Sequence, residues 1–418
     1  MPSFPDPQAL LHALFAAALK AADPSEEIAR HLPSHVRGRL VVVGAGKAAA
    51  QMARVVEERW SGPLAGLVVT RYGHGVPCER ITVVEASHPV PDEPGARAAQ
   101  GLIDAVSGLG PDDVVLALVS GGGSALLTLP PPGIPLSDLQ DLTRALLASG
   151  ASITEMNTIR RHVSMAAGGR LARAAAPARV VTLAVSDVPG DLAHAIASGP
   201  TVEDPTTSAE ARAILDRHAI AVSPALRAFL ASPEAESVKP GGLPHGEFHL
   251  VAAPSLSLRA AAELADSRGV AVISLGDQVE GEARDVAAAH AAELRARIEA
   301  GMARPFVILS GGETTVTLRG SGRGGRNAEY ALALAIAMEG WEGVHALACD
   351  TDGIDGTQDN AGAIVSGLTV SQARERGIDA AAHLADNDAY GFFERAGGLV
   401  VTGPTGTNVN DFRAILCV

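Results

Sequence analysis

Lysine is nearly missing from this chain. Lys20, Lys47 and Lys239 are the only three, and the other 30 of its 33 basic residues are arginines. A chain so biased toward arginine places lysine where a compact ammonium is wanted, and Lys47 stands inside a glycine loop. Positive charge is also in deficit: 47 acidic residues leave a formal charge of −14 and a pI near 5.4. Such a chain does not coat nucleic acid or anionic lipid, and any anionic ligand must be captured by a local pocket against the overall field. Long apolar runs are absent. Hydrophobic residues make up 47% and mean hydropathy is +0.19, but much of this is alanine, and no run reaches the ~18–20 residues of a membrane span. Cys78, Cys349 and Cys417 are far apart and form no C-x-x-C pair, which excludes a disulfide framework or zinc site and fits a reducing, cytoplasmic setting. The apolar stretch from Asp6 to Ala22 has no basic segment before it and is broken by His12 and Lys20. Asp6-Pro7 reads as a helix N-cap followed by proline at the first helical position, so an amphipathic helix is expected there rather than a signal peptide.

What is present is a rhythm of strand, glycine turn and helix over 418 residues, a length that predicts two or three domains. Apolar runs at Leu40–Val43, Leu67–Thr70, Ile81–Glu85, Val114–Val119 and Val180–Val185 do not alternate, so both sheet faces should be covered by helices. Residues Ala231–Gly246, rich in proline and glycine, read as an inter-domain linker. Further strands are expected at His249–Ala252, Val270–Leu275, Phe306–Leu309, Thr314–Leu318, Val344–Ala348 and Leu399–Thr402. The expected fold is α/β: two layered domains with largely parallel sheets, residues 1–235 and 247–418, and a cleft between them.

Six segments carry chemistry. Val41–Ala50 is a strand, a turn with Gly44 and Gly46, and a helix of small residues, formally G-x-G-x-x-A. The dinucleotide fingerprint also wants an acid at the end of the second strand, where this chain has Arg71. A tight packing turn competes with ligand binding there, and Lys47 favours an anion. Ser120-Gly121-Gly122-Gly123-Ser124 can turn backbone N–H groups toward a ligand, with Ser124 at or near a helix N-cap; no G-K-[ST] follows, so it is not a Walker loop. Asp187 and Asp191 follow a strand end, where carboxylates bind Mg²⁺ or accept a hydroxyl proton, although Asx turns explain them as well. Arg319–Asn327 sets Arg323 and Arg326 among four glycines, a flexible loop suited to forked contacts with phosphate or carboxylate. Asp350 and Asp352 open an acidic loop with the wrong spacing for an EF-hand, better suited to Mg²⁺-nucleotide. Thr402–Asp411, which contains Asn408, reads as a polar loop; at His74 and His88 a metal-ligand role competes with plain loop. No Ser–His–Asp order or G-x-S-x-G elbow stands out. Phosphoryl transfer, which needs positioning and charge neutralisation, fits this set best.

Taken together, GAGKAA, SGGGSALL, NTIRRHVSMAAGGRLA, SDVPGD…SGPT, SGGETTVTLRG-GRGGRN, DTDGIDG and TGPTGTNVND resemble the bacterial and animal glycerate 2-kinase family. Relatives in its tartrate-degradation branch often carry the label hydroxypyruvate reductase. The resemblance implies ATP- and Mg²⁺-dependent phosphorylation of D-glycerate to 2-phosphoglycerate in the inter-domain cleft. It places the family's invariant lysine and arginine on Lys47 and Arg326. Beside it, the residues themselves give Asp187 as base or metal ligand and Asp350 and Asp352 as metal ligands. Gly44, Gly46, Ser120, Gly121, Gly122, Gly123, Ser124, Asp191, Arg323, Asn327 and Asn408 are the expected nucleotide or substrate contacts. Ala167 and Ala328 depart from the family's usual lysine and glutamine, which bears on ligand fit more than reaction class. The partner is a small acid, with neither nucleic acid nor membrane, and a homodimer is compatible with the reading. The competing readings are an NAD(P)H-dependent hydroxypyruvate reductase, motivated by G-x-G-x-x-A and Arg71, and a non-catalytic nucleotide sensor.

Overall fold

Valine and leucine runs too apolar to face water on either side set the first layer. The computed structural model of the chain describes residues 6–244 and 246–418. Its first compact unit, Pro24–Val251, holds β1 (Leu40–Ala45), β2 (Ala65–Arg71), β3 (Ile81–Ala86), β4 (Val114–Ser120), β5 (Arg179–Val185) and β6 (Glu247–Ala252), whose last residue lies past the unit's boundary. They form one sheet in the order β3-β2-β1-β4-β5-β6, and the pairs β1–β2, β1–β4, β2–β3 and β4–β5 are parallel. Every residue of β1 and β4 is buried, as the unbroken apolar runs require of strands covered on both faces. The order reverses between β1 and β4. Ligands of open parallel sheets bind beyond strand carboxyl ends at such a switch point. The glycine turns after β1 and β4 both lie there.

The expected linker at 231–246 is part of this unit instead. Ala235, Ser237 and Val238 are buried, and β6 directly after it joins the sheet next to β5. The Arg170 guanidinium ties the segment down through the carbonyls of Ala235 and Glu236, both at 2.9 Å. Buried main-chain carbonyls need donors, and a proline-rich composition says nothing about whether a distant arginine supplies them.

The second unit joins residues 6–23 to Ala252–Val418. The helix Pro7–Ala22 is capped by Asp6, whose side chain accepts from the Gln8 N–H at 3.0 Å, as the Asp-Pro pair predicts. Leu10, Leu11, Leu14, Phe15 and Ala18 form its buried stripe and pack in one core with Leu258, Ala261 and Ala265 of the helix Pro254–Ser267. Burying each large side chain contributes about 1.5–3 kcal/mol. This contact across more than 230 residues moves the first helix out of the N-terminal half to which the sequence division at 235 assigned it.

The unit contains β7 (Ala271–Ser274), β8 (Val279–Glu282), β9 (Phe306–Ser310), β10 (Gly312–Thr315), β11 (Val344–Asp350), β12 (Gly362–Ser366), β13 (Leu399–Val400) and β14 (Asp411–Cys417). Its main sheet runs β13-β12-β11-β14-β9-β7, and β8 and β10 pair in parallel beside it. The α/β layering is as expected, but strand direction differs between units. Here only β7–β9 is parallel, whereas β11–β12, β11–β14, β12–β13 and β14–β9 are antiparallel. β12 and β14 do not stand out in the sequence, and they are the strands that reverse direction. The three cysteines are free thiols, and no helix among the described residues is long and apolar enough to cross a membrane.

Candidate active site

In the first unit the turns after β1 and β4 are laced together. The Lys47 N–H donates to the Gly121 carbonyl at 2.8 Å, the Ala48 N–H to Ser120 Oγ at 3.0 Å and the Gly46 N–H to the Val69 carbonyl at 3.1 Å. A Cβ on Gly46 would stand 2.1 Å from Ser120 Oγ. These glycines therefore let two turns of the protein approach each other. The Gly46, Lys47 and Ala48 N–H groups, which could cradle a pyrophosphate, are thus already bonded within the protein.

The triple-glycine turn is where side chains converge. Gly122 adopts φ +77°, a left-handed conformation that favours glycine. A Cβ there would lie 3.2 Å from Lys47 Cγ and 3.3 Å from the His88 ring. One residue earlier, the Asp187 carboxylate lies over Gly121. Burial pushes the Asp187 pKa up and the Lys47 ammonium opposes that shift, so the acid and the cation act on each other across this turn. Burial, then Lys47, Arg71 and Arg160, hold His88 down to about 4, so its imidazole is neutral at pH 7. Ser124 is not the N-cap of the short helix Gly123–Leu126; Gly122 is, and the Ser124 hydroxyl accepts from Ser198 at 2.8 Å. Ser198, with φ +59°, and Asp191, with φ +52°, both hold the left-handed backbone that non-glycine residues rarely adopt, and such outliers cluster at functional sites.

In the second unit the structure centres on Arg326, the first residue of the helix Arg326–Ala337. Its Nε contacts Asp411 at 2.8 Å, one terminal nitrogen contacts Asp350 at 2.7 Å, and the other contacts Glu313 at 3.1 Å. Burial works against this charge, but Asp411 and Asp350 outweigh it, so the guanidinium is held well above its usual range. Asn327 Nδ2 donates to Asp411 at 2.8 Å, and the Asp355 carboxylate caps the helix by accepting from the N–H groups of Asn327 and Ala328 at 2.9 and 2.8 Å. Burial pushes the Asp350 pKa up and Arg326 pulls against it, while Asp411 and Asp352 add to the push. Burial likewise pushes Asp355 up to about 6 in spite of its hydrogen bonds. Arg413 adds a second cation, bonded to Asp411 and lying 5.2 Å over the Tyr330 ring. Three carboxylates, of Glu313, Asp350 and Asp411, thus pair with the two guanidiniums, and Asp352 and Asp355 add negative charge close by.

The expected anion clamp takes a different form. The loop Arg319–Arg323 is pinned rather than flexible: its N–H groups donate to Asn387 Oδ1, Asp386 Oδ1 and Asp388 Oδ1 at 2.7–3.0 Å. Arg323 pairs with Glu394 at 2.7 Å and stacks 4.8 Å over Tyr390 on the surface. Asn408 is exposed, and its side chain accepts from the Asn410 N–H at 3.2 Å. Asp352 folds as an Asx turn onto the Ile354 N–H at 2.8 Å. Among the described residues no three His, Cys, Asp or Glu side chains converge to hold a metal ion. Mg²⁺ ordinarily needs only one or two carboxylates beside phosphate and water. Both Asp350 oxygens already accept, from Arg326 at 2.7 Å and the Asp352 N–H at 3.1 Å, and Asp352 uses one oxygen on Ile354. The second Asp352 oxygen therefore fits such an ion best, with Asp350 beside it. Sequence reasoning missed Asp355, Asp411 and Arg413, and also Arg160, which lies in a buried helical run where a charged residue is itself the signal.

Residues 10–231 match the family described as a domain of unknown function (DUF4147), and residues 306–411 match the MOFRL family. The chain is 52% identical, over 97% of its length and 94% of the relative's, to an Agrobacterium vitis protein provisionally named a hydroxypyruvate reductase. It is 39% identical, over 94% of both chains, to the D-glycerate 2-kinase of Thermotoga maritima. The crystal structure of glycerate kinase from Thermotoga maritima superposes with a TM-score of 0.89 at 38% identity, over 98% of this chain and 99% of that one.

Proposed function

Because the chain belongs to the glycerate 2-kinase family, we propose that it is a glycerate kinase that transfers the γ-phosphoryl group of ATP to the C2 hydroxyl of D-glycerate. The observation that carries this reading is the turn at Gly121–Gly122, where the Asp187 carboxylate and the Lys47 stem flank a backbone stripped of side chains. A hydroxyl attacks phosphorus well only when its proton has somewhere to go and the charge on the transferring oxygens is met. Asp187 suits the first task, because its raised pKa makes it a better proton acceptor than an ordinary carboxylate. Lys47 suits the second. Asp350 and Asp352 would hold Mg²⁺, which neutralises phosphate charge when bound. Arg326 holds Asp350 and Asp411 in place. Ser120 and Ser124 fix the glycine turn through the Ala48 N–H and Ser198, and Asp191 is a second acid beyond the end of β5 for substrate contact.

The reductase name borne by a relative would require a nicotinamide site. The blocked N–H groups of Gly46, Lys47 and Ala48 speak against one at the first glycine turn. The test incubates purified protein with D-glycerate, ATP and Mg²⁺ and follows ADP and 2-phosphoglycerate, with hydroxypyruvate and NADPH run in parallel. ADP formation that EDTA abolishes and Mg²⁺ restores is expected. NADPH oxidation that persists in EDTA, with no ADP formed from glycerate, would overturn the kinase.

A further inference from the structure

Among the described residues, the enclosed arginines other than Arg160 are matched either by acids or by main-chain carbonyls: Arg170 donates to the carbonyls of Arg161, Ala235 and Glu236, and Arg212 to that of Leu230. Arg161 pairs with Asp204 at 3.0 Å, Arg284 with Glu329 at 2.6 Å, and Arg326 with three carboxylates. Arg160, one residue before Arg161 and half-buried, has no carboxylate partner among the described residues. Its terminal nitrogen donates to the Asn157 side-chain carbonyl at 3.2 Å. Burial alone acts on its guanidinium, pulling its pKa down, with no acid raising it. A guanidinium has five donors in a planar fork, and one amide oxygen satisfies a small part of them. Its other donors keep some exposure, so a ligand can reach them and complete the set.

The position of Arg160 tells which ligand. Its helix, Ile153–Val163, packs on the turn Ile196–Ser198, where Asn157 donates to the Ala195 carbonyl at 3.5 Å. Ser198 in turn bonds Ser124 at 2.8 Å, at the end of the triple-glycine turn. On the same turn, Gly122 is flanked by Lys47 and the neutral ring of His88, and His88 feels both Lys47 and Arg160. Lys47 and Asp187 already flank this turn, at Gly122 and Gly121, so the reacting end of a substrate has its acid and its cation. Two further cations act on His88, Arg71 and Arg160. Arg71 is exposed, so Arg160 is the more enclosed fork, and a fork matches a planar carboxylate better than a point charge would. We infer that Arg160 is the specificity-determining residue of this site, its guanidinium holding the carboxylate of a small 2-hydroxy acid whose hydroxyl is turned toward Asp187 and Lys47. The inference rests on the kinase reading for the reaction, but not for the binding.

Arg160→Gln and Arg160→Lys separate the two. Losing a charge-assisted fork should raise the KM for D-glycerate roughly 30–100-fold in Arg160→Gln, with the KM for ATP changed less than about twofold. In a thermal-shift titration without nucleotide, D-glycerate should raise the melting temperature of the wild type and leave that of Arg160→Gln unmoved. D-glyceramide, which lacks the charge, should act alike on both. Arg160→Lys keeps charge and stem, guards against a misfolded glutamine variant, and should still raise the glycerate KM about tenfold. If the wild type binds D-glycerate but forms no ADP, loss of the shift in Arg160→Gln still supports this inference while the kinase reading fails. A wild-type glycerate KM and thermal shift in Arg160→Gln would overturn it. So would equal losses for ATP and glycerate, which would put the fork on a phosphate.

Discussion

The Asp187 carboxylate occupies the space that a side chain on residue 121 would need: a Cβ built on Gly121 would stand 1.9 Å from Asp187 Oδ2 and 2.6 Å from Oδ1. The glycine is therefore what allows the acid to sit against the turn. Gly121 does not hold a positive φ, so Gly121→Ala strains no backbone and acts mainly by moving Asp187. A displacement of about 1 Å costs on the order of 100-fold in rate, so turnover should fall by about that factor with little change in melting temperature. Asp187→Asn, which removes the base and keeps the shape, should lower kcat by roughly 10²–10⁴-fold while the KM for ATP stays within about threefold. Steady-state kinetics of both variants check this, and wild-type turnover in Asp187→Asn would take Asp187 out of the mechanism.

Lys47 is half-buried at the turn, and its ammonium acts on Asp187 and His88. Lys47→Ala should lower kcat by about 10²–10³-fold, the usual loss for one preorganised charged donor. Circular dichroism should report an unchanged fold. The same substitution should raise the pKa of His88, because a cation that disfavours its protonation is gone. An NMR titration of the His88 ring reads this shift independently of activity, and an unmoved ring would separate the two residues.

Arg326 meets three carboxylates with three different nitrogens. A lysine offers a point charge and cannot span them. Arg326→Lys should therefore fail to rescue turnover, with at least a tenfold loss expected. It should also lower the melting temperature, since Asp411 is fully buried and would lose part of its compensation. Full activity in the lysine variant would mean that only net charge matters there.

Acid should weaken the second unit through His290. The ring is buried, with Nδ1 2.7 Å from the Tyr330 hydroxyl, and burial first, then Arg413, hold its pKa down to about 4 while Glu293 opposes them. The unfolded chain takes up a proton near pH 6.5 that folded His290 refuses until about pH 4. Stability is therefore present above pH 6.5 and falls as pH drops through that window, by an amount on the order of 2–3 kcal/mol. Urea unfolding at pH 7.5 and pH 5 should show this loss in the wild type and a smaller one in His290→Gln. Identical pH slopes would assign the loss elsewhere.

Local order alone made much of this molecule legible. Unbroken apolar runs announced β1 and β4 as strands buried on both faces, because a strand with no polar side cannot face water. Asp6-Pro7 announced the first helix, since the cap and the fixed proline φ act within one turn. The strand-end positions of Lys47, Gly121–Gly123 and Asp187 were also readable, as were Asp350 and Asp352 of the DTDGIDG loop. Everything that depends on which distant groups meet was not. The first helix joins the second unit because its leucines find Leu258 and Ala261. Gly46 is required by the close approach of Ser120. Arg326 and Asp411 meet across 85 positions to form an ion cluster in place of an open clamp, while Arg160, beside the well-paired Arg161, meets no acid among the described residues. Propensity and hydrophobic pattern act over a few residues and survive in the sequence. Charge compensation and close packing are settled only when the chain has folded back on itself.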